Sequence, residues 1–538
     1  MEFEYPWRFD GRRSAAMASN GMVATSHPLA ARAGVRALEN GGTAADAAVA
    51  TAAVLNVVEP HMTGIGGDAF ALTQFDGEYR ALNGSGSAPA AADLESYRER
   101  TDAEEDGEPV MPENGGLPVT VPGALDAWAT LIEEYGSFSL ADVLEPAIGY
   151  AEGGVPVTEY VARQWANATD RIARFDRTAE TFLEDGRPPA PGERFSNPEL
   201  AHSFERIARE GPEALYGSDL GKEVIETVEE HGGTLALSDL EDHGSEWTEP
   251  ISTEYRGVEV LEHPPNGQGI VALEALNVAE ELGIDPDPAD EDRLHHLIES
   301  IKLAFADGYA HVSDPDRVAV PTETMRSKEY ARKRAGEIGE RAGSYGAKAG
   351  EHANTVYLSV VDPQGNAVSL INSVYMSFGS GLSAGGFALQ NRGHSFSLDP
   401  DHANALEPGK RPFHTIIPAM LREDGEFRAS WGVMGGSMQP QGHLQVVANL
   451  VDSGLNPQAA LDAPRFRWLE GDRVALESSR VPDGVIDDLR ERGHDVIEED
   501  DFFAEGGHWG GGQIVHRDDE GTLIGGSDPR RDGQAIGF

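Results

Sequence analysis

The sequence predicts an α+β fold in which helices cover a predominantly antiparallel sheet system. Three observations support this prediction. The first 60 residues have the pattern of two consecutive helices, and the stretch after residue 354 has the pattern of successive strands. A third observation is that strand and helix do not alternate regularly along the chain, as a βαβ repeat would require. We therefore expect layers of helix and sheet and not a doubly wound parallel sheet.

Two helices are expected near the start of the chain. The helical pattern that begins after His27 ends at Asn40, and the glycines that follow act as a stop signal. Thr43 is placed to cap a second, alanine-rich helix that runs to about Val58. So much alanine predicts close packing of both helices in the interior.

A glycine-rich turn, MTGIGG, leads from these helices into the strand DAFALTQF. Gly64, Gly66 and Ala69 match the dinucleotide pattern G-x-G-x-x-A. That pattern needs a strand before it and a helix after it, and here the order is reversed. No nucleotide site, and no cofactor of any kind, is predicted.

The middle of the chain is expected to be rich in helix as far as about Asn266, with helices at 121–135 and 139–152 and a further one at 291–311. His295 and His296 lie on the last of these. As direct neighbours they cannot share one helix face, and no H-E-x-x-H pattern occurs, so no metal site is predicted. Residues 340–354 form a polar stretch that we interpret as an exposed linker.

Strands dominate the sequence after the linker. A hairpin is expected from TVYLSVVD and NAVSLINSVY, joined by a turn at Pro363–Gly365. The other expected elements are strands at 385–390, 413–421 and 427–433, a helix at about 440–452 and a strand pair near 513–525.

The composition is strongly acidic. Among 538 residues, 92 Asp and Glu face 42 Lys and Arg, which gives a formal net charge of −50. Only six residues are lysine: Lys222, Lys302, Lys328, Lys333, Lys348 and Lys410. The charge is spread along the whole chain, which favours adaptation to concentrated salt, where self-repulsion is screened. The sign of the charge disfavours a nucleic-acid partner.

The sequence lacks cysteine and long apolar stretches, and both features restrict the functions that it can have. The chain has no cysteine, so a covalent nucleophile would have to be an oxygen or an amine. The first 30 residues contain no apolar stretch typical of a secretory signal, and no apolar run is long enough for a membrane span. We expect a protein of a salt-adapted cytoplasm without a membrane partner.

One nucleophile candidate is Ser383, in the G-x-S-x-G match GLSAG at 381–385. A nucleophile elbow requires a strand, a sharp turn and then a helix. The residues that follow have a strand pattern within a glycine-rich stretch, so the serine-hydrolase hypothesis is the weaker one.

The other candidate is Thr355, at the start of the first strand after the linker. A threonine hydroxyl needs a base beside it, and the base can be the residue's own α-amine once the preceding peptide bond is cut. Such an amine titrates near pH 8, so a useful fraction is neutral at physiological pH. Gly435 and Gly436 follow a predicted strand and could supply backbone N–H groups for an oxyanion.

Several segments in the same order resemble the γ-glutamyltransferase (γ-glutamyltranspeptidase) family of N-terminal-nucleophile hydrolases. They are the helix pair with MTGIGGDAF, TVYLSVVDPQGNAV, FGSG, KRPFHTIIP, GVMGGS, APRF and GGSDPRRDG, and they cover nearly the whole chain. The resemblance implies a four-layer αββα sandwich. It also implies an enzyme that forms an acyl-enzyme with a small-molecule amide and transfers or hydrolyses a γ-glutamyl group, as with glutathione-type substrates.

The resemblance further implies a precursor that cuts itself between Asn354 and Thr355. The products would be a large subunit, residues 1–354, and a small subunit, residues 355–538. Two such two-subunit units could also associate as a homodimer. Thr355 would be the nucleophile. Ser373 matches a supporting hydroxyl of the family, and Gly435 and Gly436 match its oxyanion hole.

The predicted substrate pocket departs from the family pattern. Where members that bind γ-glutamyl groups have F-R-E-x-A-P, this chain has LNGSGSAPA, with Ser85 or Ser87 in place of the arginine. A neutral hydroxyl cannot replace a bidentate ionic contact. The family's N-N-Q-M-D-D-F becomes QNRGHSF, with Ser395 in place of an aspartate and Arg392 nearby.

Three more differences affect the same pocket. His414 and Thr415 replace paired serines after K-R-P, and Tyr375 replaces an asparagine. The short segment between Phe396 and Lys410 leaves no room for the family's lid. One hypothesis is therefore an acylase or an oxamate-type amidohydrolase, in which Arg392 and His414 bind a substrate carboxylate. The alternatives are a rebuilt γ-glutamyl pocket and an unprocessed binding protein.

Overall fold

A computed structural model describes residues 13–105, 107–346, 354–482, 484–501 and 509–538. Two seven-stranded sheets form its centre. In chain order their strands are β1 Ala16–Ala18, β2 Met22–Thr25, β3 Asp68–Phe75, β4 Glu78–Gly84, β5 Glu246–Thr248, β6 Ile251–Tyr255, β7 Val258–Glu262, β8 Asn354–Val361, β9 Ala367–Tyr375, β10 Ala419–Glu423, β11 Glu426–Met434, β12 Gly511–Arg517, β13 Leu523–Ser527 and β14 Gln534–Gly537.

The strand order is β14-β2-β8-β9-β3-β4-β5 in one sheet and β1-β13-β12-β11-β10-β7-β6 in the other. All pairings within both sheets are antiparallel. Short strands outside the two sheets are Glu104–Glu105, Glu108–Pro109, Val155–Pro156, Arg194–Phe195, Ser383–Ala384, Phe387–Ala388, Phe466–Glu470, Arg473–Leu476 and Asp495–Glu498.

Helices cover the outer faces of the two sheets, which gives four layers in the order αββα. The main helices are α1 Pro28–Glu39, α2 Ala44–Val58, α3 Ala124–Tyr135, α4 Leu140–Gly153, α5 Gly269–Leu282, α6 Glu291–His311, α7 Met438–Val451 and α8 Pro457–Asp462. Shorter or peripheral helices are Leu94–Arg100, Glu159–Asn167, Thr169–Ile172, Asp176–Phe182, Pro198–Glu210, Glu213–Tyr216, Asp219–Glu230, Leu237–Glu241, Thr322–Met325, Lys328–Ala335, Arg392–Ser395, Ser478–Arg480 and Val485–Glu491. None of the helices in the described ranges is long and apolar enough to cross a membrane.

The two sheets pack face to face through β8 and β11. The hydroxyl of Ser359 donates to the carbonyl of Ser430 at 2.9 Å. Gly432 leaves room for the ring of Tyr357, because a Cβ on this glycine would lie 2.6 Å from the ring. These contacts fix β8, the strand that begins next to Thr355, against the strand that ends at the glycine pair.

The first two helices form as the sequence predicts. Thr43 and Asp46 cap α2 reciprocally, since the Asp46 carboxylate accepts from the Thr43 N–H at 2.8 Å and the Thr43 hydroxyl accepts from the Asp46 N–H at 3.3 Å. All residues of α2 are buried. Close approach of α1 depends on Gly34, where a Cβ would lie 2.3 Å from the Thr51 hydroxyl. The predicted alanine-rich packing is confirmed.

Other predicted elements differ from the structure. The helices at 121–135, 139–152, 291–311 and 440–452, the hairpin after residue 354 and the strand pair near 513–525 are present within a few residues. In contrast, the helix-rich middle also contains β5, β6 and β7, which the sequence interpretation missed. The predicted linker 340–354 falls largely on residues 347–353, which lie outside the described residues.

Two predicted strands are wrong in extent. The segment 413–421 contributes a strand only from Ala419, because His414 pairs instead with the turn around Asn266 and Gln268 through backbone hydrogen bonds of 2.9 and 3.0 Å. The segment 385–390 has only the two-residue strand Phe387–Ala388. The residues after this strand make isolated backbone hydrogen bonds to loops and no strand pairing; the Gln390 N–H, for example, donates to the Gly66 carbonyl.

Candidate active site

Thr355 lies at an irregularity in the pairing of β8 with β9. Asn354 pairs with Tyr375 and Val356 pairs with Asn372, so Thr355 alone faces two residues of β9. Such bulges are common beside active sites because they re-aim a side chain. The Thr355 side chain is fully buried, and its hydroxyl donates to the Ser373 hydroxyl at 3.3 Å.

The Ser373 hydroxyl connects the nucleophile candidate to the pocket. It accepts from the backbone N–H of Tyr375 at 2.8 Å, in addition to its contact with Thr355. Tyr375 holds a left-handed backbone with φ of 75°, which is uncommon for a residue with a large side chain. Strained backbone of this kind often occurs at functional sites. The Ser373 hydroxyl therefore contacts that of Thr355, and its supporting role stays a prediction.

Gly435 and Gly436 come directly after β11, at the same end of the sandwich as Thr355. Ser359 of β8 contacts Ser430 of β11. Two residues earlier on β8, Tyr357 packs against Gly432, which lies two residues later on β11. The same step places Thr355 opposite the end of β11. Both glycines have positive φ, 124° and 58°, and α7 begins two residues later. This arrangement suits the predicted oxyanion role.

An open cavity of about 1230 Å³ reaches this end of the sandwich. Its lining includes four of the predicted or adjacent site residues: Tyr375, Ser395, Thr415 and Ser437. The Ser395 hydroxyl is buried and has no hydrogen-bond partner among the described residues. The cavity is large enough for a small amide substrate.

Arg392 lies behind the wall of this cavity. The side chain is 0% exposed, and its guanidinium donates to the Thr415 hydroxyl at 2.9 Å and stacks 4.1 Å from the centre of the Tyr375 ring. Its Nε is buried and has no partner in the part of the chain that the structure describes. Burial lowers the pKa of Arg392 to about 10, so it stays charged at neutral pH.

His414 is committed to internal contacts. Its Nε2–H donates to Oδ2 of Asp68 at 3.0 Å, and its Nδ1 accepts from the N–H of Ile416 at 3.3 Å. Burial and the nearby Arg392 charge hold the pKa of His414 well below its usual value, so the ring is neutral. With both ring nitrogens occupied, His414 does not offer the carboxylate contact that the sequence hypothesis gave it; it supports Asp68 instead.

Asp68 is the functional candidate that sequence reasoning missed. Its Oδ1 accepts from the N–H groups of Gly86 and Gly123 and from the Gln390 side chain at 3.1, 3.2 and 2.8 Å. Burial raises the pKa of Asp68 to about 7, while Arg392 and these donors act in the opposite direction. The available signal was a charged residue, the D of GIGGD, at the start of an otherwise apolar strand.

Ser85 and Ser87 border this region without lining the cavity. The Ser85 hydroxyl is buried and accepts from the Asn266 side chain at 3.1 Å. Ser87 is half-buried, and its carbonyl accepts from the Val121 N–H. Neither serine adds a charge to the pocket, in agreement with the predicted loss of the arginine contact.

The other nucleophile candidate, Ser383, lacks the geometry of a nucleophile elbow. It lies in the two-residue strand Ser383–Ala384, which pairs with Phe387–Ala388 and leads into no helix. Its buried hydroxyl shares a hydrogen bond of 3.1 Å with Thr178.

One cluster of the described residues resembles a metal site. Ligand atoms of His295, Glu299 and His494 lie within 4.8 Å of one another. The two imidazoles hydrogen-bond each other at 2.9 Å, and Lys302 Nζ lies 2.7 Å from Glu299. An ammonium group beside the carboxylate disfavours a metal ion, so we interpret the cluster as an internal hydrogen-bond network.

The comparisons with known proteins agree with this geometry. The family model "Gamma-glutamyltranspeptidase" matches residues 30–538. The chain belongs to the γ-glutamyltranspeptidase family. It is 39% identical to a glutathione hydrolase-like YwrD proenzyme of Bacillus subtilis, over 96% of this chain and 98% of the relative. It is also 34% identical to an oxamate amidohydrolase proenzyme of Klebsiella pneumoniae, over 98% and 100% of the two chains.

A solved structure extends the likeness to three dimensions. The cephalosporin acylase from Bacillus halodurans superimposes with a TM-score of 0.91 and 44% identity, over 100% of this chain and 99% of the acylase. As a member of the γ-glutamyltranspeptidase family with this fold, the chain is an N-terminal-nucleophile hydrolase that acts on amide bonds. The predicted αββα fold and enzyme class are confirmed.

Proposed function

We propose that the chain cuts itself between Asn354 and Thr355 and that the freed Thr355 then hydrolyses a small amide. The observation that carries this proposal is the position of Thr355 opposite the bulge of β9, with its hydroxyl on Ser373 at 3.3 Å, two residues before Tyr375, which lines the open cavity. The products are a large subunit of residues 1–354 and a small subunit of residues 355–538.

The catalytic cycle follows from the groups at this end of the sandwich. The neutral Thr355 α-amine takes the hydroxyl proton while Oγ1 attacks the amide carbonyl. The N–H groups of Gly435 and Gly436 stabilise the oxyanion. The ammonium then protonates the leaving amine as the C–N bond breaks, which leaves an ester on Thr355. Water, activated by the same amine, releases the acid; an amine in its place would give transfer.

We infer that the acyl group is not γ-glutamyl. No arginine occupies the Ser85–Ser87 turn, and the neutral Ser395 replaces the acidic contact expected for an α-ammonium. The relatives named as an oxamate amidohydrolase and a cephalosporin acylase support an acylase-type pocket. Arg392, behind Tyr375 and Thr415, would attract an anionic acyl group through the cavity wall without touching it.

A γ-glutamyl hydrolase or transferase acting on glutathione-type substrates is the second candidate. The observation that favours it is the 39% identity to the glutathione hydrolase-like relative. In that case Arg392 would attract the α-carboxylate from behind the wall that Tyr375 and Thr415 form.

A substrate panel separates these candidates. The purified enzyme is assayed with γ-glutamyl, glutaryl and butyryl p-nitroanilides and with oxamate. We expect turnover of glutaryl anilide or oxamate and little of the γ-glutamyl compound; turnover of the γ-glutamyl compound alone would overturn the inference. Arg392→Ala should raise KM for the anionic amides far more than for the neutral butyryl amide, and equal effects would show that Arg392 does not attract the anion.

The surroundings of the enzyme are inferred from the charge alone. We propose a cytoplasmic enzyme adapted to high salt. A net charge of −50 is spread along the chain, and concentrated salt screens the resulting self-repulsion. A thermal unfolding temperature that does not rise between low and molar salt would contradict the salt adaptation. A homodimer of the two-subunit unit is tested by light scattering at the working salt concentration.

A further inference from the structure

A buried positive charge lies next to the nucleophile. One terminal nitrogen of the Arg392 guanidinium is 3.4 Å from the Ser373 hydroxyl, which in turn is 3.3 Å from the Thr355 hydroxyl. These distances place the charge within about 7 Å of Thr355. Because Arg392 is fully buried, little solvent screens this interaction.

A buried negative charge lies on the other side of Ser373. Asp68 pairs directly with Ser373 across β3 and β9, whereas Thr355 faces Ser373 from β8. Burial raises the pKa of Asp68 to about 7, the four donors on its carboxylate oppose this rise, and the group is ionised on the alkaline side of pH 7. The sheet thus places Asp68 beside Ser373, and the short helix Arg392–Ser395 brings the Arg392 guanidinium to the Ser373 hydroxyl, which contacts Thr355.

We propose that Arg392 is a positioning residue that acts on Thr355 through Ser373, by favouring the neutral form of the freed α-amine, and that Asp68 limits this effect. The inference rests on the proposed function, since the amine exists only after cleavage. An α-amine that titrates near pH 8 is mostly protonated at neutral pH and cannot accept the hydroxyl proton. A nearby cation lowers the pKa of such an amine and increases the reactive fraction.

Two histidines and one glutamate also lie on or beside the elements that surround β8 and Ser373. His27, next to β2, and His414 are neutral at pH 7, since burial lowers the pKa of His27 to about 4 and that of His414 well below its usual value. Glu59, at the end of α2, has a pKa raised by burial to about 7 and could add its own limb to a pH profile. A Glu59→Gln background removes that contribution.

The test is the pH dependence of kcat/KM on the neutral butyryl anilide, measured on processed enzyme. Removing the Arg392 charge raises the amine pKa, so the acid limb of Arg392→Gln should move up by about one to two pH units. Arg392→Lys keeps the charge, so its acid limb should lie at nearly the same pH as that of the wild type. Asp68→Asn removes the opposing charge and should move the limb down.

The outcomes discriminate between explanations. An unchanged acid limb in Arg392→Gln would overturn the proposal. Loss of the acid limb in Asp68→Asn would also overturn it, because the limb would then report the titration of Asp68 and not that of the amine. If Arg392→Gln does not fold, the downward shift in Asp68→Asn remains a sufficient test. Failure of the proposed function looks different, because Thr355→Ala would then still turn over substrate.

Discussion

Gly67 controls the position of Ser373 and therefore of the nucleophile. A Cβ at residue 67 would lie 2.2 Å from the Ser373 carbonyl oxygen and 2.7 Å from its carbonyl carbon. An ordinary contact is longer by about 1 Å, so Gly67→Ala must push the end of β9 away by about that distance. Overpacking of this kind lowers the free energy of unfolding by about 1–3 kcal/mol.

The functional effect should exceed the loss of stability. A displacement of about 1 Å near reacting groups lowers a rate about 100-fold, so we expect Gly67→Ala to reduce both self-cleavage and kcat by this order while the protein stays folded. Processing is followed on denaturing gels, kcat on the preferred amide, and stability by thermal unfolding. Gly149→Ala in α4 is the matched control, since no atom lies within 4 Å of its added Cβ. A folded Gly67→Ala protein with wild-type processing and kcat would refute the importance of the Ser373 position.

Two further predictions concern stability and the rival nucleophile. Arg465 and Arg530 hold the pKa of Asp528 at about 2, against an ordinary value of 3.8, so this depressed pKa contributes about 2 kcal/mol of stability above pH 4 that is lost as the pH falls towards 2. Asp528→Asn should show a flatter decline of stability in acid denaturation, and an identical decline would contradict the ion-pair account. Ser383→Ala should lower the free energy of unfolding by only about 1 kcal/mol, because it loses the hydrogen bond with Thr178, and it should keep full turnover. Loss of turnover in the folded variant would restore the serine-hydrolase hypothesis.

The sequence predicted those parts of the structure that depend on local pattern. The α1–α2 pair was readable from the stop after Asn40 and the cap at Thr43, and the β8–β9 hairpin from its turn and its apolar strands. The short strand at Ala419 was misjudged because its neighbours bond to a distant turn around Asn266. Such pairings depend on residues far apart in the chain, which no local pattern records.

The same limit applies to the candidate site. Thr355 and Ser373 could be proposed from the sequence because strand position and family motifs point to them. The Asp68–His414 contact joins residues 346 positions apart, and only the sheet topology brings them together. The hypothesis that His414 binds substrate treated its side chain as unoccupied, whereas burial required each ring nitrogen to find an internal partner.

The central claim, self-cleavage before Thr355, is tested most directly by the intact masses of the purified chains. We expect the 57.6 kDa precursor to become two chains, with the small one beginning at Thr355, and we expect Thr355→Ala to remain a single chain. A wild-type protein that turns over amides as one uncut chain, or a small chain that begins at another residue, would contradict the account.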